Sequence, residues 1–523
     1  MDCSGDLKVG WIVGESTPRS SQVLFNDNAI PKVGTYVVAE TPEGCVFGIV
    51  ESVSSGNRLL TDDVTSPESV DGLVQMIKQS PGVSPTYIRG SIRWLSYEDT
   101  LAEGSVSLPK VPPRPGTEVF TASKKLLEEI FGTGNEGPKS GWIRLGTLMN
   151  EDIAYSINVN RLTRHLAILA VTGGGKSNTV CVIARRLVSD ARGTVVIFDM
   201  HGEYGDLMLG DMANYIARPA INPANLSFSE LLELTKMPDN ATNQIRVLRQ
   251  AWEKTISEYM KGSIKASDIM DRLKENVDEL KEGKGGDPAE GVLNRLSDLE
   301  DYYGDIINPD VPLQLKEVIQ PNKLNVFDLS ELDELGADAL VSHYMRRLLA
   351  ERKLWKHSGG KRGYPSPAIV FVEEAHVLIP AKDQTLTKYW AARIAREGRK
   401  FGIGLAVVSQ RPRNVDPEVL SQTNNKIILR VVEPQDIKYV QETSEELSED
   451  LANMLPSLNP GEAVVIGYMV KLPAVVKVDF CACDGEGGKR PCNKGGGDVD
   501  LIREWRRTLG GEGEQGSDLG ELT

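Results

Sequence analysis

One stretch constrains this chain more than any other. The apolar run Leu166–Val171 leads into Thr172-Gly173-Gly174-Gly175-Lys176-Ser177, and a helical pattern, Asn178–Leu187, follows at once. A strand, a glycine-rich turn and a helix in that order make a phosphate-binding loop. The glycines let successive backbone N–H groups turn inward around an anion, and the helix N-terminus adds the positive end of its dipole. Lys176 would then reach the β- and γ-phosphate oxygens, and the Ser177 hydroxyl would hold Mg²⁺. The usual spacing starts with a glycine where this chain has Ala170. Alanine is small enough for the cradle to survive. A chance glycine-rich turn is the bland alternative, and the flanking strand and helix argue against it.

The surroundings of the loop set the fold class. The runs Leu166–Val171, Thr194–Phe198, Ala368–Val372, Ile403–Val408 and Lys426–Val432 are apolar nearly throughout and alternate with helical patterns. Strands of that kind are buried on both faces, as in a parallel sheet flanked by helices. The expectation is a RecA-like α/β core over residues 140–224 and 321–483. Between 225 and 320 the strand signal gives way to helix-like spacing, such as Ile245, Leu248 and Trp252 or Ile269, Leu273 and Val277. That stretch reads as a helical insertion with a break at Glu282–Gly291, and the core resumes at Leu324–Leu329.

Residues 1–115 have a different grammar. Short runs rich in Val, Ile, Tyr and Trp (Lys8–Gly14, Thr35–Thr41, Cys45–Val53, Tyr87–Ser96) are separated by turn signals. They suggest a small all-β barrel or sandwich. The Pro-rich stretch Leu108–Pro115 reads as a linker, continued over 116–139, because proline cannot extend a central strand. The segment 484–523 reads as a Gly-rich, charged C-terminal tail, with a short helix at Leu501–Leu509.

Several residues carry candidate chemistry. Ala368–Val372 ends in Glu373-Glu374-Ala-His376, and an apolar strand ending in two acids can place one near Mg²⁺ and the other beside an attacking water. Glu373 is the candidate metal-side acid and Glu374 the candidate general base. Asp199 closes the strand Thr194–Phe198 ahead of His201-Gly-Glu203-Tyr204. It would join the metal–water network or simply cap the next turn. Gln410 closes the run Val407-Val408-Ser409-Gln410 at a strand end, where it would orient the γ-phosphate or the water, or be an ordinary strand-end amide. Arg393, Arg396 and Arg399 form a helical stripe, read either as a solvated face or as the source of a finger for a neighbouring subunit. Lys382 and Lys388 are candidates for lining a nucleic-acid pore or plain solvated lysines. Cys481, Cys483 and Cys492 offer soft thiolates for a metal, with Cys3 as a distant fourth, or else a disulfide.

Charge excludes one class of function. In 523 residues, 59 Lys and Arg stand against 74 Asp and Glu, a formal net charge of −15. A surface that coats nucleic acid or anionic membrane should not be this acidic, although a small basic channel remains compatible with it. No apolar run is long enough for a membrane-spanning helix. The first residues lack a secretory pattern, and six cysteines are too few for a disulfide scaffold, so the expectation is a cytoplasmic protein.

Taken together, these elements resemble the archaeal HerA helicase family, within the FtsK/HerA branch of ring-forming P-loop ATPases. The likeness runs from the barrel through Arg164-His165, the phosphate loop and His201-Gly-Glu-Tyr204. It continues through Glu373-Glu-Ala-His376, Ile394-Ala-Arg-Glu-Gly-Arg-Lys-Phe-Gly402 and Val408-Ser-Gln-Arg-Pro412. The resemblance implies an ATP- and Mg²⁺-dependent, hexameric translocase or helicase on double-stranded DNA, partnered by a NurA-type nuclease in recombinational repair. It implies that Thr172 to Ser177 hold the phosphates, Glu374 activates water, and Gln410 senses the γ-phosphate. Arg399 becomes the preferred finger and Arg164 a second arginine near the nucleotide. The barrel becomes the ring-assembly and docking element. Motors of the same fold that move protein, and nucleotide-gated rings with little turnover, are the competing readings.

Overall fold

In the computed structural model, which describes residues 3–79, 86–102, 105–132, 141–205, 207, 210–238, 240–281, 288–304, 306–485 and 488–491, two β systems share one core. The N-terminal system has strands β1 (Gly5–Ser16), β2 (Ser20–Phe25), β3 (Tyr36–Thr41), β4 (Gly44–Asn57), β5 (Thr86–Tyr97) and β6 (Glu118–Ala122). They close an antiparallel barrel in the order β1-β2-β5-β4-β3-β6. β6 pairs with both β1 and β3, so it is the strand that closes the barrel.

That closure corrects the expected boundary. The barrel does not stop at residue 115, and the stretch expected as a linker supplies β6 and then the helix Lys124–Phe131. Leu126, Leu127, Ile130 and Phe131 of that helix are buried. The Pro-rich Leu108–Pro115 is a connection inside the barrel. Its prolines punctuate the chain as expected, but the next strand returns to the same sheet.

The second system is an 11-stranded sheet. Its strands are β7 (Trp142–Leu148), β8 (Ala154–Asn158), β9 (Leu166–Leu169), β10 (Thr194–Asp199), β11 (Ala213–Ile216), β12 (Leu324–Asp328), β13 (Ala368–Val372), β14 (Ile403–Ser409), β15 (Asn425–Ile428), β16 (Glu462–Gly467) and β17 (Ala474–Val478). Their order is β11-β12-β10-β13-β14-β9-β15-β16-β17-β7-β8. The seven strands from β11 to β15 are parallel, and the remaining four add antiparallel. A two-stranded hairpin, β18 (Ala482–Gly485) and β19 (Gly488–Pro491), follows.

Alternation along the buried strands feeds two separate cores. Ala167, Leu169, Val196, Phe198, Val370 and Leu405 face a core built with the helices Glu334–His357 and Leu386–Glu397 and the helical insertion. Leu166, Ile168, Val195, Ile197, Phe371 and Ala406 face the helix Lys176–Ser189 and the barrel. The insertion consists of the helices Phe228–Leu234, Thr242–Met260, Ile269–Asp278, Pro288–Tyr303 and Leu315–Val318 between β11 and β12. The expected break at Glu282–Gly291 lies partly outside the described residues, and the expected Leu501–Leu509 helix lies wholly outside them.

β3 and β4 tie barrel to motor because both of their faces are buried. Val37, Ala39, Val46 and Val50 fill the barrel, whereas Tyr36, Val38, Phe47 and Ile49 join the core of the large sheet. The Tyr36 ring stacks on Phe47 and tilts against Phe131, and its hydroxyl donates to the Pro473 carbonyl at 2.9 Å. Ser91 Oγ donates to Asp450 at 2.7 Å and Arg93 to the Glu446 carbonyl at 2.8 Å on the same seam. Tyr36→Phe should therefore cost about 1 kcal/mol, one net hydrogen bond. Tyr36→Ala should cost about 3–5 kcal/mol, as large-aromatic truncations in cores do. Denaturant midpoints measure both, and a neutral Tyr36→Ala would mean that the barrel is not packed on the motor.

Candidate functional site

β9 delivers the phosphate loop at the C-terminal edge of the parallel strands. Gly173 and Gly175 adopt φ of 76° and 99°, the left-handed region where glycine carries no Cβ penalty. A Cβ on Gly175 would also lie 3.0 Å from the Gly461 nitrogen, so the loop and the start of β16 approach too closely for a side chain. A Cβ on Gly174 would meet the Ala170 Cβ at 3.2 Å, and the small residue at position 170 is what the turn accommodates. Gly175 then leads directly into the helix Lys176–Ser189.

The carboxylates arrive from β13, two strands away. Lys176 Nζ lies 3.0 Å from Glu373 Oε2 and 2.5 Å from Glu374 Oε1, with all three side chains largely buried. Burial opposes charge on Lys176, but the two carboxylates outweigh it and raise the ammonium above its usual range. Burial raises the Glu373 carboxyl, and Lys176 and Tyr204 only partly offset it. Burial also pushes Glu374 up, yet His376 and Lys176 prevail and bring it down to about 2. The two acids are thus held apart in character: Glu374 is the ionised group that can accept a proton, and Glu373 is a buried partner of the lysine.

Each acid has its own support. The Tyr204 hydroxyl donates to Glu373 Oε1. His376 Nδ1 is 3.1 Å from Glu374 Oε2, and His201 Nε2 is 3.8 Å from Glu374 Oε1. Glu374 itself has φ 44° and ψ 46°, a left-handed conformation that is uncommon for a non-glycine residue and tends to persist at functional sites. Asp199 does not meet the cluster directly. Its carboxylate accepts the backbone N–H groups of His201, Glu203 and Tyr204 at 3.3, 3.1 and 2.9 Å, so it caps the turn that carries Tyr204 to Glu373. Burial raises Asp199 to about 6 despite those three donors.

Gln410, at the end of β14, accepts a 2.6 Å hydrogen bond from Thr172 Oγ1 in the phosphate loop. Thr172, Lys176, Glu373, Glu374 and Gln410 are therefore brought together, and Ser177 follows Lys176 in the same first helical turn. The hard oxygen donors of Ser177 and Glu373 suit Mg²⁺, which takes few protein ligands beside phosphate. Tyr204 and His376, which had no assigned role in sequence, prove to orient the acids. Both stand inside the quoted motifs, which was the available signal. Gly461 gave none, because its role depends on a strand distant in sequence.

The two arginines lie elsewhere. Arg399 sits in the turn Gly398–Phe401 before β14, and Arg164 in the turn Val159–Arg164 before β9, both at the N-terminal strand edge. β14 has 7 residues, and at about 3.3 Å per residue it separates Arg399 from Gln410 by roughly 23 Å. Neither reaches the phosphate loop of its own chain. Arg399 is exposed and its side chain has no hydrogen-bond or ion-pair partner among the described residues. Arg164 stacks on the Tyr468 ring at 3.9 Å. Arg393 and Arg396 are occupied by Glu397 and Glu418 at 2.9 and 2.5 Å.

Two further expectations change. Lys388 is a brace, 3.1 Å from Asp416 and mostly buried, whereas Lys382 is exposed. Cys3 is bonded to Cys45 and Cys483 is also disulfide-bonded, so neither offers a free thiolate to a metal. Cys481 and Cys181 are free and buried, and Cys492 lies outside the described residues. No helix among the described residues is long and apolar enough to cross a membrane.

This architecture has known counterparts. Residues 143–348 match the family described as Helicase HerA, central domain, residues 285–482 the Helicase HerA-like C-terminal, and residues 9–100 the HAS barrel domain. The DNA double-strand break repair helicase HerA of Sulfurisphaera tokodaii is 41% identical over 508 residues, which cover 95% of this chain and 96% of that protein. Its counterpart in Saccharolobus solfataricus is 39% identical over 508 residues, 95% and 96% of the two chains. Among solved structures, VirB4 of Thermoanaerobacter pseudethanolicus is similar at a TM-score of 0.47 and 18% identity, over 66% of this chain and 98% of that one. With family models matching residues 9–100, 143–348 and 285–482 and relatives similar along nearly its whole length, the chain belongs to the HerA helicase family.

Proposed function

We propose that this chain is an ATP-driven motor on double-stranded DNA that acts in break repair as a homo-hexameric ring with a NurA-type nuclease. The observation that carries the reading is the Lys176–Glu373–Glu374 cluster, set at the C-terminal strand edge beside the phosphate loop. Relatives similar along nearly the whole chain are named as DNA double-strand break repair helicases.

In this reading Lys176 exchanges carboxylate contacts for β- and γ-phosphate oxygens as ATP enters. Release of Glu374 from the lysine leaves it free to take a proton from the attacking water, with His376 keeping its second oxygen in place. Gln410, already linked to Thr172, reports on the γ-phosphate. Ser177 and Glu373 would hold Mg²⁺, which would supply charge neutralisation at the phosphates. The position of Arg399 supports a role across a subunit boundary, since an exposed guanidinium on the opposite strand edge can serve only another chain's phosphates. Grip on DNA falls to local basic loops, in keeping with a net charge of −15. The barrel is read as the ring-assembly and nuclease-docking element.

ATPase rate measured with and without linear duplex DNA, together with the mass of the assembly, tests the whole reading. Stimulation by duplex and a six-fold mass are expected; an indifferent rate removes the DNA motor. Lys176→Ala should abolish turnover. Glu374→Gln should retain ATP binding and lose about 10²–10⁴ in rate, the usual span for a positioned general base. Normal hydrolysis by that variant would transfer the base role to another group.

Arg399→Ala should cost about 10³–10⁵ in rate if it is a finger. Mixing Arg399→Ala with Lys176→Ala subunits should restore some activity, because certain boundaries then pair an intact arginine with an intact loop. Complete absence of recovery in verified mixed rings would count against the composite site.

A further inference from the structure

We infer that Phe480 is the stacking platform for the nucleotide's base, a subsite on the β17 flank of the phosphate loop. The inference rests on the reading that ATP binds at Lys176.

The sheet order fixes the direction of the phosphate chain. β13 and β14 lie on one side of β9, and β15, β16 and β17 lie on the other. Glu373, Glu374 and Gln410 all come from the first side. Because Lys176 serves the β- and γ-phosphates and meets those acids, the γ-phosphate points toward β13 and β14. The α-phosphate, and with it the nucleoside, must leave on the β15–β17 side.

Phe480 stands on that side. Val478, the last residue of β17, donates its N–H to the Gly461 carbonyl at 2.8 Å, and the Gly461 N–H donates to the Gly174 carbonyl at 3.2 Å. Asn178, the residue after Ser177, holds the segment from both ends. Its Nδ2 donates to the Asp479 carbonyl at 2.9 Å, and its Oδ1 accepts the Cys481 N–H at 2.8 Å. Phe480 is therefore bracketed by two bonds to the helical turn that begins with Lys176.

The backbone around it is fixed while the ring is presented outward. Asp479 accepts from Arg144 Nε at 3.0 Å and from Arg186 Nη2 at 2.7 Å. Phe480 nevertheless remains 62% exposed. A large aromatic side chain on a rigid strap beside a phosphate site suits an aromatic ligand, and every nucleobase has a π-face to offer.

The test is isothermal titration of the full-length chain with ATP, GTP and inorganic tripolyphosphate. Phe480→Ala should weaken ATP and GTP alike by about tenfold, the scale of one base–aromatic stack, and leave tripolyphosphate unchanged. Phe480→Trp should restore ATP binding. Unchanged ATP affinity in Phe480→Ala overturns the inference, including the case where only the assembly mass changes because a second copy or the C-terminal tail covers the ring. Equal weakening of ATP and tripolyphosphate also overturns it, since the ring would then act on the loop's shape. If the wild-type chain binds neither ligand, it is the nucleotide reading that has failed.

Discussion

The contact of Lys176 with two buried carboxylates is the constraint on which the rest of the site depends. Three buried charges are costly to take out of water unless each is paired and its remaining valences are satisfied. Elements from distant parts of the sequence meet most of that demand, although Glu374 Oε2 is left with the nearby His376 ring and no hydrogen bond of good geometry among the described residues. Tyr204 closes the second oxygen of Glu373, His376 lies against the second oxygen of Glu374, and Asp199 caps the turn that carries Tyr204. The parallel order β13-β14-β9 is equally required, because only parallel strands bring the acids, Gln410 and the loop to one edge. The left-handed backbone at Glu374 is part of the same arrangement, turning successive carboxylates toward one ammonium.

The same sheet separates two cores while joining their strands. Because neighbouring residues of β9, β10, β13 and β14 face opposite sides, the phosphate-loop helix and the barrel share one core, and the helical insertion belongs to the other. β3 and β4 are buried on both faces for this reason, one face lining the barrel and the other packing toward the motor. The barrel is thus continuous with the core behind the phosphate loop.

What was legible in the sequence follows from what each element is buried by. β9, β10, β13 and β14 announced themselves because strands covered on both faces are apolar at nearly every position, whereas β12 and β15, which carry Asn325 and Asn425-Lys426, were read from shorter apolar stretches. β7, β16 and β17 extend the sheet antiparallel, and β11 is a short edge strand whose side chains are only partly buried, so it lacks a solid apolar run. β6 was hidden behind prolines that mark a turn without saying whether the next segment rejoins the sheet. In the site, Lys176, Glu373 and Glu374 were visible because a strand end and a glycine loop locate them within their own segments. Asp199 and Lys388 were not settled, since a carboxylate that caps a turn and a lysine that braces Asp416 look the same in sequence as a ligand and a pore residue. The Cys3–Cys45 bond was equally hidden: the closed barrel as a whole, and no single strand pairing, brings residues 42 positions apart together.

A last consequence concerns the two edges of the sheet. The phosphate loop, the acids and Gln410 occupy the C-terminal strand edge, whereas Arg164 and Arg399 occupy the N-terminal edge. A two-fold contact through either edge alone would set arginines against arginines or phosphate loop against phosphate loop. A head-to-tail contact sets the arginine edge of one copy against the phosphate edge of the next, and repeated head-to-tail contacts close into a ring or run on as a filament. The proposed finger and the proposed ring are therefore geometrically compatible. In the proposed ring, an arginine that cannot reach its own phosphates would complete its neighbour's site.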